Sequence, residues 1–227
     1  MRSPRQLFML ARAVLFGEPG TVPMRFFQEL LPPAPVIVEA GAHGGGDTVR
    51  LARTWPRGHV HAFEPVPALF QRMSARVRNR RNVSCYPLAL SDSVGTAEIY
   101  VSSGASDASS SLLRPTGHLA EHPQIDFKQV VKVLVTTLDA WAHEQAIGTV
   151  DFLWLDLQGG ELAALRGAST LLSAVRVVYS EVSLKPMYQG GPLYPEFREW
   201  MAAQGFAVVR EKLPYPDMGN VVFARRD

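Results

Sequence analysis

Carboxylates close a series of apolar runs in this 227-residue chain. Glu39 ends "PVIVEAG", Glu64 ends "HAFEP", Asp92 follows "YPLALS", Asp156 follows "FLWL" and Glu181 sits in "VVYSEVS". An acid at the carboxyl end of a buried strand can do two kinds of chemistry. It can accept hydrogen bonds from the hydroxyls of a ligand, or take a proton from a reacting group. Asp156 and Glu181 are the candidate bases, because carboxylates at neighbouring strand ends converge on one pocket. His43, in "GAHGGGD", stands third.

The Gly-rich turn after Glu39 points to a ligand. Glycine lets the backbone approach a bound molecule without a Cβ in the way. A phosphate-binding loop needs Gly-Lys followed by Ser or Thr, which the turn lacks. A dinucleotide fingerprint needs Gly at the first, third and sixth positions, and counting from Gly41 the third is His43. A carboxylate at Glu39 would repel a pyrophosphate and attract an ammonium group. S-adenosylmethionine carries an ammonium, a sulfonium and one carboxylate, which backbone N–H groups can meet. Glu64 is placed to accept both ribose hydroxyls of such a cofactor. The two acids and the wrong glycine spacing favour the methyl donor over NAD.

Other acids have plainer roles. Asp92 could bond an adenine amino group or cap the turn before Gly95, and both readings stay open. Asp139, beside Thr137 in "TTLDAW", reads as a helix start. Glu161 reads as a cap in a first helical turn, where the helix dipole favours it. His59, His61, His118, His122 and His143 show no metal-ligand spacing. A divalent cation held by Asp156 and Glu181 is conceivable but not favoured.

The elements that must position these groups alternate. Apolar runs at "PVIVEAG", "HVHAFEP", "NVSCYPLAL", "VDFLWLDL" and "VRVVYSEVS" read as strands. Between them, "GDTVRLARTW", "VPALFQRMSARVRN", "GELAALRGASTLL" and "YPEFREWMAAQG" read as amphipathic helices. "TAEIYVS" and "VVKVLVTT" are two further strands. "FAVVREKL" and "NVVFARR" predict an antiparallel hairpin at the end of the chain. The pattern predicts an α/β fold with a mostly parallel sheet covered by helices on both faces. The serine-rich stretch 102–111 reads as a mobile loop rather than a domain boundary.

Composition narrows the class. Hydrophobic residues make up 47% and charged residues 19%, a globular balance. A net charge of +2 gives no basic signature of nucleic-acid binding. The single cysteine, Cys85, excludes an internal disulfide and suits a cytoplasmic protein. The leader "RQLFMLARAVLF" is too short to span a bilayer. It reads as an amphipathic helix covering the core, a second subunit in a homodimer, or the substrate mouth.

The stretches "VIVEAGAHGGGDT", "HAFEPVPALF", "YPLALSDSVGTAEIY", "SSSLLRP", "VTTLDAW", "LWLDLQGGELAALRGA" and "SEVSLKPMYQGGPLYPEF" follow one another in this order. In that order they resemble the FkbM family of S-adenosylmethionine-dependent methyltransferases. The resemblance covers most of the chain from Val36 onward. It implies a class I methyltransferase domain over 36–227, a Rossmann-like fold with a seven-stranded sheet, one strand antiparallel, and helices on both faces. Residues 1–35 would be a helical leader or cap. It places Gly41, Ala42, Gly45 and Thr48 of the first motif, and Ser110 of the serine motif, at the cofactor. It implies methylation of a hydroxyl on a small molecule, a sugar or a natural-product scaffold. The chain departs from the family pattern at Glu39 and His43, where Asp and Asn are frequent, and at Gln158, where Glu is frequent. A methyltransferase-like binding module without catalysis, or an NAD-dependent oxidoreductase, are the rival readings.

Overall fold

The computed structural model of the protein describes residues 20–226. The leader stretch "RQLFMLARAVLF" and the dimer contact expected of it lie outside the described residues.

One seven-stranded sheet forms the centre. It uses β1 (Val36–Ala40), β2 (His59–Phe63), β3 (Val83–Tyr86), β7 (Phe152–Leu155), β8 (Val177–Ser183), β9 (Phe206–Lys212) and β10 (Met218–Arg225). Their order is β3-β2-β1-β7-β8-β10-β9. Every pairing is parallel except those of β10, which runs antiparallel to both β8 and β9. The expected terminal hairpin and single antiparallel strand are both present. The strand order reverses direction between β1 and β7, and such a switch point opens a crevice at the carboxyl ends of the strands.

Strand alternation divides the core into two layers. Ile37, Phe152, Trp154, Val177 and Tyr179 face one side, and Val38, Ala40, Leu153, Leu155 and Val178 the other. The first side is covered by α1 (Met24–Leu30) and α2 (Gly46–Thr54). Phe27 of α1 is fully buried against Phe152, Trp154 and Tyr179. The part of the leader from Gly20 onward therefore belongs to the fold, because removing it would leave three aromatic side chains in water. The second side is covered by α5 (Leu138–Glu144), α6 (Glu161–Arg166) and α7 (Tyr194–Ala203). Helix α3 (Pro67–Val77) buries Leu69, Met73 and Val77, the apolar face its spacing predicts.

The reading of "NVSCYPLAL" as one strand is corrected. Pro87 has no N–H to give a ladder, and the run splits there. Val83–Tyr86 joins the large sheet as β3, while β4 (Ala89–Leu90) joins a second, three-stranded sheet of order β4-β6-β5. In that sheet β5 (Gly95–Gly104) and β6 (Ile125–Thr136) are antiparallel partners. Between them the chain passes through the serine stretch and α4 (Gly117–Glu121). The serine stretch is also more tied down than its composition suggests. Ser109 N donates to Ser102 Oγ (2.9 Å), Ser102 N to Ser110 Oγ (3.1 Å), and Tyr100 and Ser111 exchange backbone hydrogen bonds.

Asp139 and Thr137 do what their sequence context predicts. Thr137 Oγ1 accepts from Ala140 N at the start of α5. Asp139 holds the backbone N–H groups of Thr170 and Leu171.

Candidate functional site

Sheet register gathers the acids. Ala40 pairs with Phe63 and with Leu155, and Leu155 pairs with Ser180. One residue further along each strand stand Gly41, Glu64, Asp156 and Glu181, so all four reach the same level above the sheet. Glu39 lies just below, at the switch point. A cleft opens there with about 1050 Å³ of empty space, part of it continuous with solvent.

The Gly-rich turn forms the cleft's floor. Gly41 has φ 81°, and a Cβ on it would come within 1.8 Å of the Asp156 carbonyl oxygen, so only glycine lets the turn run against β7. The N–H groups of Gly41 and Ala42 both donate to Phe63 O (3.1 and 2.9 Å). His43 N donates to Glu64 Oε2 (2.8 Å). The early N–H groups of the turn are thus engaged by protein rather than held for a ligand carboxylate. Gly46, at the start of α2, lines the cleft. Gly45 has φ 76° and begins α2 against Met73, and Thr48 is buried in α2; neither lines the cleft directly.

Glu39 is buried, and its Oε2 has no hydrogen-bonding partner among the described residues. Thr48 Oγ1 is likewise unpartnered, although Thr48 lies close enough to ease the Glu39 charge. Burial pushes the Glu39 carboxyl up to about 8, and the nearby Asp47 and Glu64 add to the rise. An ionised Glu39 is costly here without a cation or donor beside it.

Glu64 is more fully engaged. Its Oε1 accepts from Val66 N and its Oε2 from His43 N, both at 2.8 Å. Burial still raises its carboxyl to about 7. Each oxygen keeps a second lone pair toward the cleft. The other wall is apolar. Phe63, Leu69, Leu88, Leu90 and Ile99 form a slot that suits a flat heterocycle. Ser110 and Ser111 line the same side. Asp92 is not among the lining residues. It is exposed beyond β4, where Ser91 Oγ lies 3.5 Å from its Oδ1.

Asp156 and Glu181 share one partner. The Gln158 side-chain nitrogen donates to Asp156 Oδ1 (2.8 Å) and to Glu181 Oε2 (2.6 Å). Asp156 is exposed to the open cleft, yet the dense protein around it raises its carboxyl. Glu181 is raised well above the ordinary carboxylate range by burial and by the nearby Asp156, Glu161 and Asp217. Asp156 and Gln158 line the cleft, while Glu181 stands behind them and is not among the lining residues. Glu161 caps its turn, accepting from Leu157 N at 2.7 Å. Among the described residues no group of three His, Cys, Asp or Glu side chains has metal-binding geometry.

His43 lines the cleft, but its Nε2 lies 2.7 Å from Asp107 Oδ1 and 3.0 Å from Arg72. Arg72 also donates to Asp107 at 2.8 Å. The imidazole therefore fastens the turn to α3 and the serine stretch, which argues against its role as a base. Arg72 and Asp107 escape a reading of the sequence, because an arginine in a helix and an acid in a loop carry no pattern. Gln158 reads in sequence as a lost carboxylate, whereas the structure makes it the centre of the acid cluster.

The sequence profile described as the Methyltransferase FkbM domain matches residues 39–208. The 2-O-methyltransferase NoeI of Sinorhizobium fredii is 29% identical over 163 residues, 70% of this chain and 67% of that protein. The methyltransferase sdnD of Sordaria araneosa is 23% identical over 220 residues, 86% of this chain and 83% of that protein. The crystal structure of methyltransferase FkbM from Methylobacillus flagellatus matches with a TM-score of 0.58 at 13% identity. That match covers 88% of this chain and 46% of the other, so the chain spans less than half of that structure's length. Fibrillarin of Aeropyrum pernix, crystallised with natively bound S-adenosyl-L-methionine, matches at 0.50 and 15% identity, covering 95% of this chain and 74% of the other.

Proposed function

Because the chain belongs to the FkbM methyltransferase family and has the class I methyltransferase fold, we propose that it methylates a hydroxyl of a small molecule from S-adenosylmethionine. A sugar or a natural-product scaffold is the acceptor class we favour, in keeping with a relative named as a 2-O-methyltransferase. The observation that carries the reading is the buried Glu39 carboxylate at the switch point, whose Oε2 has no hydrogen-bonding partner among the described residues, beside a cleft that Glu64 and an apolar slot complete. No helix among the described residues is long and apolar enough to cross a membrane.

The residues fit this cofactor. Glu39 would meet its ammonium, Glu64 its ribose hydroxyls, and the slot between Phe63, Leu90 and Ile99 its adenine. The start of α2 at Gly46 would meet its carboxylate. When bound, S-adenosylmethionine would supply a methyl group on a sulfonium for transfer to an acceptor oxygen, the neutral thioether being the leaving group. Asp156 and Glu181 would orient the acceptor hydroxyl and take its proton, with Asp156 ahead because it faces the cleft. The Gly-rich turn and the serine stretch would hold the partners close and exclude water. A metal-free base is favoured, since the Gln158 amide already bridges the two carboxylates.

Incubation with methyl-labelled cofactor and a metabolite extract of the source organism tests the reading. The label should appear in a small, alkali-stable ether. Label confined to protein or nucleic acid, or to an alkali-labile ester, would overturn the acceptor class.

A further inference from the structure

Tyr188 lies behind the cleft rather than on its wall. It is buried, with 4% of its surface exposed, and its ring packs beside Gly159 and His118. Its hydroxyl is 2.9 Å from Gln158 Oε1 and 3.0 Å from Ser109 O. We infer that Tyr188 is a positioning residue for the Asp156–Glu181 pair, acting through the side-chain amide of Gln158. The inference rests on the proposed role of that pair as proton acceptor.

An amide side chain is two-sided. Gln158 has one acceptor oxygen and two N–H donors. Both carboxylates lie on its nitrogen side, at 2.8 and 2.6 Å. In the reversed orientation an acceptor-only oxygen would face two acceptor carboxylates, which is repulsive. The phenol is the group that rewards the observed orientation, because it presents a donor to Oε1. Its single proton also has Ser109 O within reach. When it goes to Oε1 the amide is polarised and both N–H bonds to the carboxylates strengthen.

The surrounding chain keeps Gln158 where this linkage works. Its backbone has φ 52°, a left-handed conformation that an L side chain adopts at a cost. Ser111 Oγ donates to its carbonyl at 2.8 Å, joining the serine stretch to the same residue. Gly159 follows with φ 93°, a conformation that favours glycine, and packs against the Tyr188 ring. A bond donated to a carboxylate favours its ionised form. Weakening the amide should therefore raise both carboxyl midpoints.

Other charges act on the pair and stay in place when Tyr188 changes. Asp47 and His43 face Asp156. Glu161 and Asp217 face Glu181, and Glu64 senses Asp156.

The test is a carbon-13 NMR pH titration of side-chain carboxyls in the full chain, with the two signals assigned through Asp156→Asn and Glu181→Gln. Tyr188→Phe should move both midpoints up by about half a pH unit or more, a size set by a partly lost charge-assisted bond. Gln158→Met should move them further, and Tyr188→Phe should add nothing in that background. A merely structural tyrosine would leave the midpoints where they are. Midpoints unchanged in Tyr188→Phe, or shifted equally with and without the amide, would overturn the inference. Should Tyr188→Phe lose its fold, the wild type still decides. The Tyr188 Cζ signal should titrate with the midpoint of the carboxyl pair, and a Cζ signal that ignores it would overturn the inference. The titration uses neither cofactor nor acceptor, so its failure and a failure of the methyltransferase reading are separate results.

Discussion

Asp156→Asn should lower methyl transfer by about 10²–10⁴-fold while leaving cofactor affinity within a few-fold, the range for losing a positioned general base. The substitution is conservative in shape. The introduced amide would retain an oxygen to accept the Gln158 bond that Asp156 Oδ1 now accepts. What it loses is the ability to take a proton. In the wild type both carboxyls are raised, Glu181 by burial and nearby acids and Asp156 by the dense protein around it and by Asp47. A base works only when deprotonated, so turnover should climb with pH and level off above the pair's raised pKa rather than near 4. The profile belongs to the pair, since two coupled acids release their protons in two steps that neither residue owns alone. EDTA should leave the wild type unaffected. Loss of activity with EDTA and rescue by Mg²⁺ or Mn²⁺ would instead assign the two carboxylates to a metal. Full turnover in both Asp156→Asn and Glu181→Gln would place the base elsewhere.

Glu64→Gln should fail as badly as Glu64→Ala, although it is nearly isosteric. Both Glu64 oxygens accept backbone N–H groups, from Val66 and from His43. A glutamine offers one acceptor and one NH₂ group, so one buried N–H would meet a donor. Each buried donor left without a partner costs about 1–3 kcal/mol of stability. The same change removes an acceptor for a ribose hydroxyl and loosens the turn that carries His43. Affinity for S-adenosylhomocysteine should fall by a further ~1.5–3 kcal/mol, about ten- to a hundredfold or more. Urea denaturation and titration calorimetry on the same preparation read the two losses. A Glu64→Gln protein of wild-type stability and affinity would remove Glu64 from both roles.

The acids themselves are legible in the sequence because strand ends are legible. Glu39, Glu64, Asp156 and Glu181 each close an apolar run, and parallel register then sets the last three and Gly41 at one level. Gly41 reads in the sequence as a place where backbone meets a ligand, whereas the fold also needs its missing Cβ to let the turn run against the Asp156 carbonyl. The partners of these residues are not. Gln158 meets Glu181 across 23 positions and Tyr188 across 30, distances over which no local pattern operates. Pro87 hides the split between two sheets, since the apolar run reads through it. Asp92 reads two ways, because an acid after a strand can cap a turn or meet a ligand. His43 looks like a free imidazole in its turn, and only the fold brings Asp107 and Arg72 to it.

The most direct measurement is titration calorimetry of the wild-type chain with S-adenosylhomocysteine and, separately, with NADH. One site for S-adenosylhomocysteine is expected, with micromolar affinity of about 7–9 kcal/mol, and no heat from NADH. Binding of NADH with none of S-adenosylhomocysteine would contradict the assignment of the cleft to a methyl donor.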